Sequence, residues 1–330
     1  MTERYHFRDG VLSQFDTDNP KPFEQKPSAV TIGTYDGVHL GHRAIISTLV
    51  SDAKARGLRS VVITFEPHPR LVLGKTNDAP IFLLSTLDEK VNILESLGVD
   101  CIIVIHFTKA FSETPAEAFV ENVLVKQIGL AEIVIGYDHM FGRNRGGSFE
   151  TLAMLAERHH FTVKQIPEQK VDEHHLSSTA IRRFLEAGDI ENANKLLGAP
   201  YQLSAVVIEG DKRGRTIGFP TANLLPPNAK LIPKHGVYAV EVSIGEKTYH
   251  AMMNIGTRPT IQAQSSVSLE VHLLDFNGDL YGKSLTLRFL ARLRDEQKFS
   301  SLDALKAQLE RDKHAAQRLL SEFNVANTVA

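Results

Sequence analysis

The sequence predicts an α/β domain built on a doubly wound parallel sheet, followed by a compact antiparallel sheet or small β-barrel and a terminal helix. Three observations lead there. From about residue 28 to 187, continuous apolar runs alternate with amphipathic segments, the pattern of strands whose two faces are both covered by helices. After Tyr201 the runs become β-rich and are separated by turn signals such as "IGEK" and "FNGD". The segment "SSLDALKAQLERDKHAAQRLLSEF" near the end spaces its leucines helically behind a serine cap.

Each element can be justified in turn. "PSAVTIG" reads as the first strand, and "LGHRAIISTLVSDAKARG" as a helix stopped by glycine. "LRSVVITFEPHP" is the next strand, followed by helix "TLDEKVNILESLG" and strand "VDCIIVIHF". Helix "TPAEAFVENVLVKQIG" leads to strand "AEIVIGYD", and helix "FETLAMLAERHH" to strand "FTVKQIP". Right-handed crossovers then wind helices onto both faces of one sheet. "SSTAIRRFLEAGDIENANKLLGAP" reads as two short helices joined at Gly188 and Asp189, a hinge between domains expected at 1–187 and 188–330. Beyond it, "YQLSAVVIEG", "GVYAVEVSIGEKTYHAMMNIG", "VSLEVHLLDF" and "LYGKSLTLRFLARL" supply the strands of a compact antiparallel sheet or small barrel.

Composition narrows the function classes. The chain has 330 residues, which fits two domains, and 42% hydrophobic residues, enough for ordinary cores. A formal net charge of −2 argues against a general nucleic-acid binder, although "GRNRGG" and "GDKRGR" are short basic patches. The N-terminus lacks the apolar core of a signal peptide, and no run approaches membrane-spanning length. One cysteine, Cys101, in an apolar run, suits a reducing compartment. The expectation is a cytoplasmic protein with no membrane and no nucleic-acid partner; a weak homo-oligomer is left open.

The stretch "GTYDGVHLGH" places His39 and His42 three apart where the first strand gives way to a helix. Ligands of doubly wound sheets bind beyond the carboxyl ends of strands, where helix N-termini offer free N–H groups and partial positive charge. Two imidazoles there can donate to phosphate oxygens, and Gly33, Gly37 and Gly41 let a ligand approach the backbone. A zinc site would need a third ligand, for which His68 and His139 are candidates, and no H-E-x-x-H spacing is present. In the second half, "GDKRGRTIGFPTANL" carries Gly210, Gly214 and Gly218 but lacks the Lys-Ser/Thr of a phosphate loop; spacing alone gives an anion loop or a basic hairpin tip. Glu270, His272 and Leu274 share one face of a strand.

"GTYDGVHLGH" and "SSTAIR" resemble the two signatures of the nucleotidyltransferase superfamily. With "TFEPHP", "GYDHMFG" and "GRTIGFPTAN", they resemble the bifunctional bacterial riboflavin kinase/FAD synthetase family, over about residues 28 to 320. The resemblance implies a Rossmann-like nucleotidyltransferase domain and a riboflavin kinase-like barrel. It implies that riboflavin, FMN and ATP are the substrates, with Mg²⁺ accompanying ATP. In the first domain, His39 and His42 would stabilise charge on the phosphates, with Arg182 as a fixed positive charge. Gly33, Asp36, Asp138, Ser177, Ser178 and Thr179 would surround the nucleotide, and Phe65, Pro67 and His68 would form one side of a flavin slot. In the second domain, Thr221 and Asn223 would coordinate Mg²⁺-ATP beside Gly210, Lys212, Gly214, Arg215 and Gly218. Glu270 would accept the proton of the riboflavin hydroxyl, and Asn254, Arg258 and Arg294 would lie on the flavin or phosphate side.

Departures from the family pattern are Tyr35 where Phe is common, His139 and Met140 in "GYDHMFG", and Ile261 after "RPT". They bear on the flavin edge. Other readings are a kinase that has lost the adenylyl step at that edge, and a flavin- or nucleotide-binding protein without turnover. A cytidylyltransferase would share the first motif and leave the second domain unexplained.

Overall fold

Strands β1 (Glu3–Arg8) and β2 (Val11–Gln14) precede β3 (Ser28–Ile32), the first strand expected from the sequence. In the computed structural model, which describes residues 2–74, 80–168, 170–171, 174–210, 217–258 and 266–328, these begin a seven-stranded sheet. Helix α1 (Leu40–Arg56) leads to β4 (Arg59–Glu66), then α2 (Pro69–Leu73) and α3 (Leu87–Ser96) to β5 (Cys101–His106). Helices α4 (Lys109–Ser112) and α5 (Ala116–Phe119), the latter continued by a wider π-type turn over Val120–Ile128, lead to β6 (Leu130–Gly136). Helix α6 (Phe149–His159) leads to β7 (Thr162–Ile166). The sheet order is β2-β1-β5-β4-β3-β6-β7.

The doubly wound expectation holds, and the strands show why. Val30, Ile32, Val61, Ile63, Ile103, Ile105, Ile133 and Ile135 enter one core, with Phe119, Leu124, Leu152 and Leu155 from the helices on that side. Their neighbours Ala29, Val62, Ile102, Val104 and Val134 enter the other, with Ile46, Leu49, Ala53, Val91 and Leu94 of α1 and α3. Strict alternation with both parities apolar is the signature of a sheet covered on both faces. The first two strands extend the expected sheet. β1 pairs parallel with β5, while β2 turns back antiparallel at the edge. Only Tyr5 and Phe7 of β1 are buried, so the pattern is too short and too polar to stand out.

A small pair, β8 (Lys170–Val171) and β9 (His174–His175), precedes α7 (Ser178–Ala187) and α8 (Ile190–Leu197). Ser177 and Asp189 cap these helices, and Gly188 between them is left-handed at φ 82°. The chain separates into two compact units, 1–81 with 87–176, and 82–86 with 177–330. Within the second unit, 82–86 joins through Leu83, whose amide donates to the Ala229 carbonyl at 2.6 Å and whose carbonyl accepts from Leu231.

The second unit contains the expected barrel. Strands β10 (Tyr201–Ile208), β11 (Ala222–Leu225), β12 (Gly236–Ile244), β13 (Lys247–Arg258), β14 (Ser266–Leu273) and β15 (Ser284–Arg294) close in the order β10-β11-β14-β13-β12-β15. The last helix, α9 (Leu302–Thr328), lays Ala316 and Leu320 against Phe219, Ala239, Met252 and Leu274. Closure leaves no free sheet edge.

Candidate active sites

Beyond the carboxyl ends of the parallel strands lies a cavity of about 640 Å³. Gly33, Thr34, Tyr35 and His42 line it from the histidine turn, Phe65 from β4, and Asp138 and His139 from the end of β6. The turn is strained, with Tyr35 at φ 46°, Gly37 at 81° and Val38 at 42°. A β-branched residue in that region is costly and points to a functional constraint. Gly33 has a packing reason to be glycine. A Cβ there would sit 2.9 Å from the Tyr35 ring, which folds back over it.

That ring braces the site. The Tyr35 hydroxyl donates to Thr31 Oγ1 at 2.7 Å, and Thr31 donates to the Val134 carbonyl at 2.6 Å. The tyrosine at this position therefore has a buried partner for its extra oxygen. Its ring meets His42 edge-on at 5.2 Å. His39 and His42 stack at 3.6 Å. His39 caps α1, its Nδ1 accepting from the His42 amide at 3.4 Å. With Nδ1 accepting, the proton resides on Nε2, which is left as a donor. Burial pushes His39 down to about 4. Burial, then the neighbouring His39 and Lys90, holds His42 well below the ordinary histidine range. Both rings are neutral near pH 7. Among the described residues, His42 Nδ1 is buried with no hydrogen-bond partner.

His68 caps α2, its Nδ1 accepting from the Arg70 amide at 3.1 Å. His39, Asp36, Pro67 and His68 are not among the described residues lining the cavity. Asp36 is buried at 2% exposure. Ser177, Ser178, Thr179 and Arg182 belong to the second unit. There Ser177 caps α7, accepting from the Ala180 amide, and Arg182 Nε donates to the Phe82 carbonyl at 2.7 Å. His139 stacks on Phe141 at 5.6 Å, and burial pushes it down to about 4. It thus presents a neutral flat ring to the cavity. Phe107, Phe111, Phe119 and Phe141 complete an aromatic wall that sequence reading did not assign to the site. Arg143, Asn144 and Arg145 of "GRNRGG" stand at the same cavity.

A second cavity, of about 630 Å³, opens on the barrel and is lined by Thr221, Asn254, Glu270, His272 and Arg294. Barrel register sets its centre. Glu270 on β14 pairs with Asn223 on β11 and with Asn254 on β13, so two amides flank one carboxylate across three strands. Ser268 Oγ donates to Glu270 Oε1 at 3.2 Å. Thr221 and Asn223, two apart, share a face of the chain at β11. Arg294 is engaged by α9, with Nε 3.0 Å from both Asp312 carboxylate oxygens and Nη2 2.7 Å from Oδ2. Arg294 lines this cavity, and its fork also fastens α9 to β15. Phe299, Leu302, Leu305 and Leu309 supply an apolar wall. Lys212, Gly214, Arg215 and Ile261 lie outside the described residues, as does the Arg258 side chain. Gly218 is left-handed at φ 87° in open space.

Residues 21–180 match the FAD synthetase family model, and residues 197–320 match the riboflavin kinase model. The chain is 40% identical to the bifunctional riboflavin kinase/FMN adenylyltransferase of Listeria monocytogenes, over 86% of this chain and 89% of that one.

The chain belongs to that bifunctional family.

The enzymes of the same description from Escherichia coli K12 and Bacillus subtilis are 41% and 37% identical, over 88% and 91% of this chain and 92% and 95% of theirs. A solved structure from Streptococcus pneumoniae, described as a macrolide-efflux protein, has the same fold at a TM-score of 0.82, with 30% identity over 95% of this chain and 98% of that one. In this bifunctional enzyme the FMN adenylyltransferase domain precedes the riboflavin kinase barrel. It phosphorylates riboflavin to FMN and adenylylates FMN to FAD, consuming ATP in both steps. No helix among the described residues is long and apolar enough to cross a membrane.

Gly210 gives the kinase site a sharp test. A Cβ there would overlap the Asn223 side-chain amide. Gly210→Ala therefore displaces the Asn223 side chain, and where Asn223 serves the metal–ATP the expected result is a loss of about 10-fold in its binding. Steady-state kinetics against metal–ATP checks this, with FMN adenylylation as the unaffected reference.

Proposed function

We propose that the two cavities are the two active sites, and that Glu270 and the histidine pair carry the two reactions. The row Asn223–Glu270–Asn254 is the observation that most supports the kinase assignment. The 5′-hydroxyl of riboflavin attacks the γ-phosphorus of ATP, its proton passes to Glu270, and ADP leaves. Thr221 and Asn223 fit Mg²⁺, which takes few protein oxygens and shares the rest of its shell with phosphates and water. Bound there, Mg²⁺ would neutralise phosphate charge. Among the described residues, no group of three or more His, Cys, Asp or Glu is placed to hold a metal without that help.

In the first domain, a phosphate oxygen of FMN bonds to the α-phosphorus of ATP as the α–β bridging P–O bond breaks, releasing pyrophosphate. His39 and His42 donate N–H groups to the charged oxygens, which asks of the protein mainly positioning and charge stabilisation. The aromatic wall of Phe65, Phe107, Phe111 and Phe141 suits the flavin ring. Asp36, buried within the turn itself, supports the turn's shape. For Ser177, Ser178, Thr179 and Arg182 the support for a phosphate role is the resemblance of "SSTAIR" to the superfamily's second signature. We place the enzyme in the cytoplasm on its single buried thiol, Cys101. Its partners are small molecules, and the net charge of −2 supports no nucleic-acid role.

The test is a chromatographic time course with riboflavin, ATP and Mg²⁺. FMN rises first and FAD follows. A chelator stops both steps, and added Mg²⁺ restores them. Conversion that continues in chelator refutes the metal assignment, and FMN alone refutes the first site.

A further inference from the structure

The histidine turn rests on a buried charged layer that the sequence motifs do not include. Lys90 projects from α3 with 3% of its surface exposed. Its Nζ donates to Thr64 Oγ1 at 3.1 Å, and Thr64 Oγ1 donates to the Thr34 carbonyl at 3.2 Å. Thr64 lies near the carboxyl end of β4, one residue before Phe65 of the cavity wall. Thr34 lies in the histidine turn and lines the same cavity. Lysine is rarely fully buried unless something pairs with it. Here a side chain fixed by helix packing holds strand end and turn together.

We propose that Lys90 is a positioning residue of the adenylyl-transfer site, tying the carboxyl end of β4 to the histidine turn. The proposal rests on the reading of that turn as the transfer site. The charged and titratable groups around it are Asp36 from the turn, Glu66 from β4, and His39 and His42 from the start of α1. Asp88, also on α3, acts on Glu66. Burial pulls the Lys90 ammonium below its ordinary value, while Asp36 and Glu66 favour the charged form. In turn, Lys90 helps to hold His42 low. Removing the charge must let the His42 midpoint rise. Removing the hydrogen bond leaves Thr64 Oγ1 without the Lys90 donor that fixes it, so its bond to the Thr34 carbonyl holds the turn less firmly. A displaced turn loosens the aim of both imidazoles, which costs turnover more than it costs binding of the flavin ring.

The experiment uses the full chain with Lys90→Met, Lys90→Arg and His42→Ala. Riboflavin phosphorylation in the same tube controls for the amount of enzyme, and the unfolding midpoint of the N-terminal unit reports that each variant is folded there. Expected for Lys90→Met is an unchanged kinase rate and a kcat for FAD formation lower by up to about 100-fold, the scale of misplacing a reacting group. Its KM for FMN should change little, and the His42 midpoint, followed by NMR titration, should lie above wild type. Lys90→Arg keeps the charge, so it recovers the His42 midpoint and part of the rate. It also carries the test should the methionine variant fail to fold. Wild-type FAD formation in Lys90→Met, beside a dead His42→Ala, overturns the role of Lys90 alone. So do equal losses in both Lys90 variants with the His42 midpoint unmoved, which would mean packing only. An active His42→Ala overturns the reading of the turn itself.

Discussion

Glu270→Gln stops the enzyme before FMN. The substitution keeps the shape of the side chain and its place between Asn223 and Asn254, and Ser268 can still hydrogen-bond to it. What is lost is the carboxylate proposed to accept the proton of the attacking hydroxyl. Positioned general bases contribute about 10²–10⁴-fold, so the phosphorylation rate should fall within that range. The adenylyltransferase provides the control, because FMN supplied directly should become FAD at the wild-type rate. The measurement is the initial rate of each step on separate substrates. A Glu270→Gln enzyme that phosphorylates riboflavin normally would move the base to another group, and His272, which also lines the cavity, would be examined next.

His39→Ala produces the complementary block, with FMN accumulating and FAD formation slowed. The Nε2 donor that would face phosphate is gone. Loss of one such preorganised donor costs about 10²–10³-fold in turnover. Alanine also removes the cap on α1, so a second variant separates the two effects. His39→Asn retains a side-chain oxygen able to accept from the helix amides. It should recover stability, read as the unfolding midpoint, without recovering FAD formation. Equal recovery of both would make His39 a cap and nothing more. Because both rings are neutral near pH 7, lowering the pH toward 6 should leave their protonation unchanged.

Much of this molecule can be read from its residues. The apolar runs from "AVTI" to "EIVIG" announce a sheet covered on both faces, and the alternation of Leu269, Val271 and Leu273 against Glu270 and His272 places the carboxylate on a strand. What escapes is of two kinds. Phe107, Phe111, Phe119 and Phe141 are each ordinary apolar residues on separate segments, and only the packed fold shows that they surround one space. Lys90 left a signal that was readable. In "LDEKVNIL" it falls four residues before Leu94, on the buried side of α3 with Val91, where a lysine has no packing reason to be. Arg294 shows the opposite limit, since its sequence position cannot reveal that Asp312, eighteen residues on, holds its guanidinium.

The row of Asn223, Glu270 and Asn254 exists in one alignment of three strands. Strand side chains alternate between faces, so an odd-numbered insertion within β14 would rotate Glu270 to the opposite side while leaving every apolar residue beyond it reversed as well. In a closed barrel such an error has no edge at which to dissipate. The carboxylate and the hydrophobic filling of β14 are therefore locked to the same phase, in the unbroken register that β14 keeps with both of its neighbours.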